Sequence, residues 1–187
     1  MELYHHGIKG QKWGVRRYQN KDGTLTSSGK KRYPLTKIVK GSEQASNDIY
    51  KSLSKQEKQL VMGQQEDETP PRTFIKKGEA KYLIDQVLVK YGDTPVTALD
   101  IWNQEQGEAA ISIMTRNDPK YRGKGFGDKA VKEGIKAFEK CKDVNVLTWG
   151  VWEKNTASRK LAEKNGFKYV DYHDPGGEKF LIYQRRK

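Results

Sequence analysis

The hydrophobic pattern changes near residue 33. Residues 1–33 hold five glycines (Gly7, Gly10, Gly14, Gly23, Gly29) and few aliphatic side chains, and no helical or strand period runs through them. Asp22-Gly23 is a turn signal. So little apolar surface predicts a segment that stays extended or disordered until it docks. Residues 34–46 read as a linker. Ile49, Leu53, Leu60 and Val61 then recur at roughly helical spacing after Ser46, with Gly63 as the closing residue, which predicts a helix over 47–62. Residues 64–71 are polar and end in Pro70-Pro71, a loop.

Strand signals follow. Residues 82–89 are β-rich, Gly92-Asp93 turns the chain, and residues 96–102 form a second strand. Residues 104–107 make a short hairpin loop and 109–114 a third strand, an order that favours an antiparallel meander. The period then becomes helical over 126–140, with Ala130, Val131, Gly134, Ile135 and Phe138 on one side. A strand over 144–151 and a helix over 155–164 closed by Asn165-Gly166 come next. Two last strands, 167–172 and 180–183, flank Pro175-Gly176-Gly177. The order predicts a mixed α/β (α+β) domain over 47–187, a mostly antiparallel sheet flanked by helices behind a basic extension.

Charge sharpens the division. The chain has 187 residues and a net charge of +12. Residues 1–40 carry ten Lys/Arg against two acids, so +8 of that charge lies there. Such a field favours polyanions: nucleic acid, an acidic protein face or an anionic membrane. Tyr4, Trp13, Tyr18 and Tyr33 are interleaved with the basic residues, as in an anchoring peptide, although a solvated basic tail has the same composition. Cys141 is the only cysteine, which excludes an internal disulfide and points to a reducing compartment. No apolar run is long enough to span a bilayer, and the chain does not open on a signal segment, so cytosolic synthesis without a membrane is expected. His5, His6, His173 and Cys141 lack ligand spacing, and no metal is expected.

One motif carries chemistry. Arg122-Gly123-Lys124-Gly125-Phe126-Gly127 stands between a predicted strand and a predicted helix. Its glycines let backbone N–H groups turn inward, and the helix start attracts anions, so a pyrophosphate would suit it. It is not a Walker A loop, because Gly123-Lys124 is followed by Gly125. Residues 125–130 read as a dinucleotide fingerprint lack the parallel context that motif needs. Taken alone, the loop is equally a glycine-rich helix entry without a ligand.

With Tyr121 before it, the Arg122–Gly127 loop resembles the acetyl-CoA loop of the GNAT N-acetyltransferase superfamily. Asn155 to Phe167, an Asn opening a helix that closes on Gly166-Phe167, resembles the second signature of that family. The resemblance covers about residues 73–183 and implies acetyl-CoA (coenzyme A) as cofactor. Strands 108–115 and 144–151 would splay around the pantetheine arm. Backbone at Ile113, Met114 and Thr115 would pair with that arm. The N–H groups of Gly123, Lys124, Gly125, Phe126 and Gly127 would hold the diphosphate, with Arg122 and Lys124 adding charge. Asn155 would contact the arm, cap its helix, or both. The implied activity is direct acetyl transfer to an amine of a small molecule or protein. Glu108, Asp100 and Asp85 are candidate bases, each also readable as a solvated strand residue. Many members place a general-acid Tyr where this chain has Ala162; Tyr169, Tyr172 or water would have to substitute, or the enzyme would be slow or inactive. Trp102 and Trp149 are expected in the core, while Trp152 at a strand end would line the acceptor site.

Residues 4–20, with 22–26 and 29–33, are similar to a short segment recurring in proteins of tailed-phage and prophage structural gene clusters. That resemblance implies phage origin, a bacterial host cytoplasm or a virion as the location, and attachment of residues 1–33 to a capsid or packaged component. It leaves an alternative open, a virion interaction protein on an inactive acetyltransferase scaffold. Nucleic-acid binding through residues 1–40 is a third reading.

Overall fold

The computed structural model describes residues 18, 20, 24, 26–32, 35–62, 83–104 and 107–187. The chain divides into two compact units, Met1–Thr36 and Lys37–Lys187.

In the first unit, Asn20 N donates to Thr24 O at 2.6 Å and Thr26 N to Tyr18 O at 2.9 Å. The expected Asp22-Gly23 turn lies outside the described residues, between these bonds. Ser27–Arg32 is a short helix, α1, where no regular structure was expected. Its start is capped, since Thr26 Oγ1 accepts from Gly29 N at 3.1 Å.

The second unit holds a seven-stranded sheet in the order β1-β2-β3-β4-β5-β7-β6. Its strands are β1 (Thr36–Lys40), β2 (Leu83–Tyr91), β3 (Thr94–Asn103), β4 (Glu108–Thr115), β5 (Val146–Trp152), β6 (Lys168–His173) and β7 (Phe180–Arg186). β2, β3 and β4 form the expected antiparallel meander. β5 pairs with β7 and β7 with β6, again antiparallel, while β4 and β5 are parallel.

Helix α4 (Phe126–Lys140) lies against β2 and β3 on one face. Its buried side is Phe126, Ala130, Val131, Gly134, Ile135 and Phe138, the face its period predicts. A Cβ on Gly134 would stand 2.8 Å from Leu99 and 2.9 Å from Ile101, so glycine sets how closely the helix approaches β3. Helix α5 (Thr156–Lys164) covers β5. The opposite face is covered by α2 (Glu43–Lys51), whose Ala45, Ile49 and Tyr50 pack with Leu53, Leu88, Ala98 and Met114.

Two stretches differ from expectation. The helix expected over 47–62 is two helices, α2 and α3 (Lys55–Met62). Ser52 Oγ turns back to Ile49 O at 2.6 Å and ends the first. Ser54 and Glu57 then open the second as a capping box, with Ser54 N donating to Glu57 Oε2 at 2.9 Å and Glu57 N to Ser54 Oγ at 3.3 Å. The stretch read as linker, 34–46, holds β1 and the first turn of α2, which Ser42 caps through Ala45 N at 3.3 Å. Gly63, the 64–71 loop, Tyr82 and residues 105–106 of the hairpin lie outside the described residues. No helix among the described residues is long and apolar enough to cross a membrane.

Candidate active site

The parallel junction is short. β4 and β5 share three rungs, Glu108 with Val146, Ala109 with Leu147 and Ala110 with Thr148. Both strands continue: β4 stays on β3 to Thr115, and β5 stays on β7 to Trp152. The sheet therefore opens as a wedge along Ile111–Thr115, and the β5-facing main chain of that stretch has no ladder partner. Ile113, Met114 and Thr115 all belong to it. Met114 is buried toward α2, Ile113 packs against the core on the α4 side, and Thr115 Oγ1 lies 3.1 Å from Thr97 Oγ1.

The glycine loop stands at the open end of this wedge. Gly123 and Gly125 have φ of 69° and 75°, the left-handed region that glycine enters without strain. A Cβ on either would meet nothing within 4 Å, so both are open outward. Gly125 is the N-cap of α4 and offers no side-chain acceptor. Side chains cap α2, α3 and α5 (Ser42, Ser54 and Asn155), so the first-turn N–H groups of α4 stand out as uncapped. A Cβ on Gly127 would lie 3.1 Å from Leu161 Cδ2, 3.7 Å from Ile113 Cδ1 and 3.9 Å from Thr115 Oγ1, so β4, α4 and α5 converge there. An extended arm in the wedge and a diphosphate on the loop suit this geometry, since main-chain donors are exposed at both.

The loop side chains divide. Phe126 is buried, and its ring packs at 5.6 Å from Tyr91 and 6.4 Å from Tyr121, an aromatic floor of which Tyr91 was not anticipated. Lys124 is exposed. Arg122 is bonded and ion-paired to Glu57 of α3, a residue the sequence reading missed although the three-residue spacing from Ser54 to Glu57 is that of a capping box. Asn155 Oδ1 accepts from Ser158 N at 3.1 Å, the capping role expected of it.

The candidate bases are set apart. Asp100 on β3 is level with Ser112 in the opened stretch of β4 and with Gln86 on β2. It is 1% exposed, and neither carboxylate oxygen has a hydrogen-bond partner within the described residues. Burial pushes its carboxyl up to about 8; nearby Gln86 opposes the shift and the charge of Asp85 adds to it. Ser46 Oγ on α2 is likewise buried without a partner. Glu108 forms the first β4–β5 rung, at the closed end of the wedge, five residues and about 17 Å of strand from Ile113. Asp85 is level with Ile101, one rung from Asp100, and lines a cavity of about 560 Å³ with Asn103, Cys141 and Asp143.

Tyr169 and Tyr172, the expected substitutes for a tyrosine at position 162, do not approach the wedge. Tyr169 and Tyr172 are half exposed on the edge strand β6, two strands from β5. The Tyr169 ring packs 6.0 Å from that of Tyr183. Ala162 is fully buried in the core. Tyr183 is buried beneath α5, donating to Glu163 Oε1 at 3.1 Å and accepting from Arg159 Nε at 3.4 Å. Trp149 is in the core against Phe167, as expected. Trp102 is only half-buried near the end of β3, a correction to its expected core position. Trp152 is buried at the tip of β5, its ring 5.0 Å from Phe180 and beside a cavity of about 230 Å³ that Glu153 and Asp174 also line.

Solved structures share this architecture. RimJ of Mycobacterium smegmatis, in complex with CoA-disulfide, superposes with a TM-score of 0.63 at 13% identity, covering 81% of each chain. An N-acetyltransferase of Staphylococcus aureus Mu50 gives 0.61 at 17% identity, covering 81% of this chain and 98% of its own. AAC(6')-Ib, in complex with ribostamycin and coenzyme A, gives 0.62 at 13%, covering 81% and 93%. At these identities the likeness is one of fold. No curated protein sequence matches the chain. The family profile for the Acetyltransferase (GNAT) domain matches residues 54–168, more than half of the chain. With a wedge-shaped sheet and an uncapped glycine loop inside that match, the chain belongs to the GNAT acetyltransferase family.

Proposed function

We propose that the protein transfers an acetyl group from acetyl-CoA to a primary amine. The observation that carries this reading is the coincidence of two exposed rows of main-chain groups, one in the β4–β5 wedge and one on the Gly123–Gly127 loop. Backbone at Ile113, Met114 and Thr115 serves the pantetheine arm. The N–H groups of residues 123–127, with Arg122 and Lys124, serve the diphosphate. Asn155 fixes the start of α5 beside them. Acetyl-CoA supplies the thioester whose acetyl group moves to the amine.

Asp100 is the base best supported by position. It lies one strand from the opened stretch of β4, buried where an ionised carboxylate is poorly solvated and takes up a proton readily. It accepts the proton the amine loses. Ala162 has no proton to give and the Tyr183 hydroxyl is engaged by Glu163 and Arg159, so the leaving thiolate is protonated from water. Trp152 and its flanking carboxylates stand at the open end, where an ammonium acceptor would enter. Residues 1–33 serve as the docking peptide, with a phage particle as the partner implied by their resemblance; deleting them should abolish particle association.

The test is binding. Acetyl-CoA at about 1 mM should raise the melting temperature of the full chain by several degrees, with an acceptor screen to follow. No stabilisation at that concentration counts against the reading.

A further inference from the structure

Glu57 is gripped on both sides. Its Oε2 accepts from Ser54 N at 2.9 Å and from Ser54 Oγ at 2.8 Å, and its Oε1 accepts from Arg122 Nη2. The Glu57 carboxyl lies below the usual carboxylate range: partial burial pushes it up, and the Ser54 bonds and Arg122 outweigh that. An ordinary exposed ion pair gains little because two long side chains must be ordered to make it. Here one partner is already immobilised by its own helix cap. A second tie lies close by, where Ser52 Oγ accepts from Asn117 N at 3.2 Å. The α2–α3 corner thus holds the β4–α4 connection at residue 117 and again at residue 122. Arg122 has five N–H donors and its bond to Glu57 uses one, so the fork keeps donors for a second anion.

We infer that Glu57 is a positioning residue for the diphosphate: it holds the Arg122 guanidinium at the lip of the loop, so that the phosphates meet a cation already in place. The inference rests on the coenzyme A reading above. The competing effect is repulsion between the Glu57 carboxylate and the phosphates. That carboxylate is neutralised by the guanidinium it holds, so the ordering of Arg122 outweighs the repulsion.

The experiment is calorimetric titration of the full chain and its Glu57→Gln variant with coenzyme A and with pantetheine, which lacks the diphosphate. The variant should bind coenzyme A about three- to ten-fold more weakly and pantetheine as the wild type does. With a working acceptor, KM for acetyl-CoA should rise and kcat should stay. In an Arg122→Gln background, Glu57→Gln should add nothing. Equal or tighter coenzyme A binding by Glu57→Gln overturns the inference, as does an equal loss for both probes, which marks a purely structural role. A wild type that ignores coenzyme A overturns the acetyltransferase reading itself.

Discussion

Asp100 on β3 faces Ser112 on β4 across one rung, two residues beyond the last rung that joins β4 to β5. The carboxyl is therefore level with the start of the wedge, and it is buried. Replacing it by Asn should lower kcat about 10²- to 10⁴-fold while leaving coenzyme A binding intact. In the wild type, kcat/KM should climb as pH rises through about 8, where Asp100 ionises. A profile that is flat there, or an active Asp100→Asn enzyme, removes Asp100 as the base.

The same group sets a stability trend of opposite sign. The folded chain keeps the Asp100 proton above the range where the unfolded chain has released it. Stability is therefore lost as pH rises from the ordinary carboxylate range toward about 8. Between about pH 5 and about pH 9 the wild type should lose melting temperature relative to Asp100→Asn. Parallel melting curves for the two proteins would refute this.

Gly125 sits at φ 75° with open space above it. Gly125→Val puts a β-branched residue in the left-handed region, at about 1–2 kcal/mol, and covers the first-turn N–H groups of α4. The variant should still fold, melt a few degrees lower, and bind coenzyme A at least about ten-fold more weakly. Calorimetry beside a thermal melt separates the two effects.

A tyrosine placed at position 162 should not supply a general acid. Ala162 is 0% exposed and walled by the core, so Ala162→Tyr overpacks it, costing about 1–3 kcal/mol or more. The expected outcome is a lower melting temperature with no gain in kcat. Tyr183→Phe, which removes one hydroxyl from the Arg159–Glu163 bridge, should cost about 1 kcal/mol and leave kcat unchanged.

Residues 37–187 form a compact unit by themselves. That fragment should unfold cooperatively and bind coenzyme A as the full chain does. A fragment that melts broadly or fails to bind refutes this.

Legibility in the sequence followed how local each signal is. The α4 face was legible because Ala130, Val131, Gly134, Ile135 and Phe138 repeat at helical spacing, and the glycine loop because three glycines crowd a helix start. The break between α2 and α3 was not, since apolar spacing runs through Leu53 while Ser52, Ser54 and Glu57 break the helix locally. β1 was missed because its Ile38 and Val39 are exposed on an edge strand between lysines, without a buried face to impose alternation. Nothing separated Asp100 from Glu108 and Asp85 as residues. Packing of α2 buries the first, strand register sends Glu108 to the closed end of the wedge, and Asp85 opens on a cavity lined by α4.

The three-rung junction makes the sheet two blocks, β1–β4 and β5–β7–β6, stitched at a seam only as long as Glu108–Ala110. An extended molecule lying beyond that seam would hydrogen-bond to edges that the protein itself leaves apart, extending the lattice of the sheet with atoms from outside the chain. Occupancy would then be read mechanically as a stiffening between the blocks, detectable as slowed amide exchange at Ile111–Thr115 with no change in helical content.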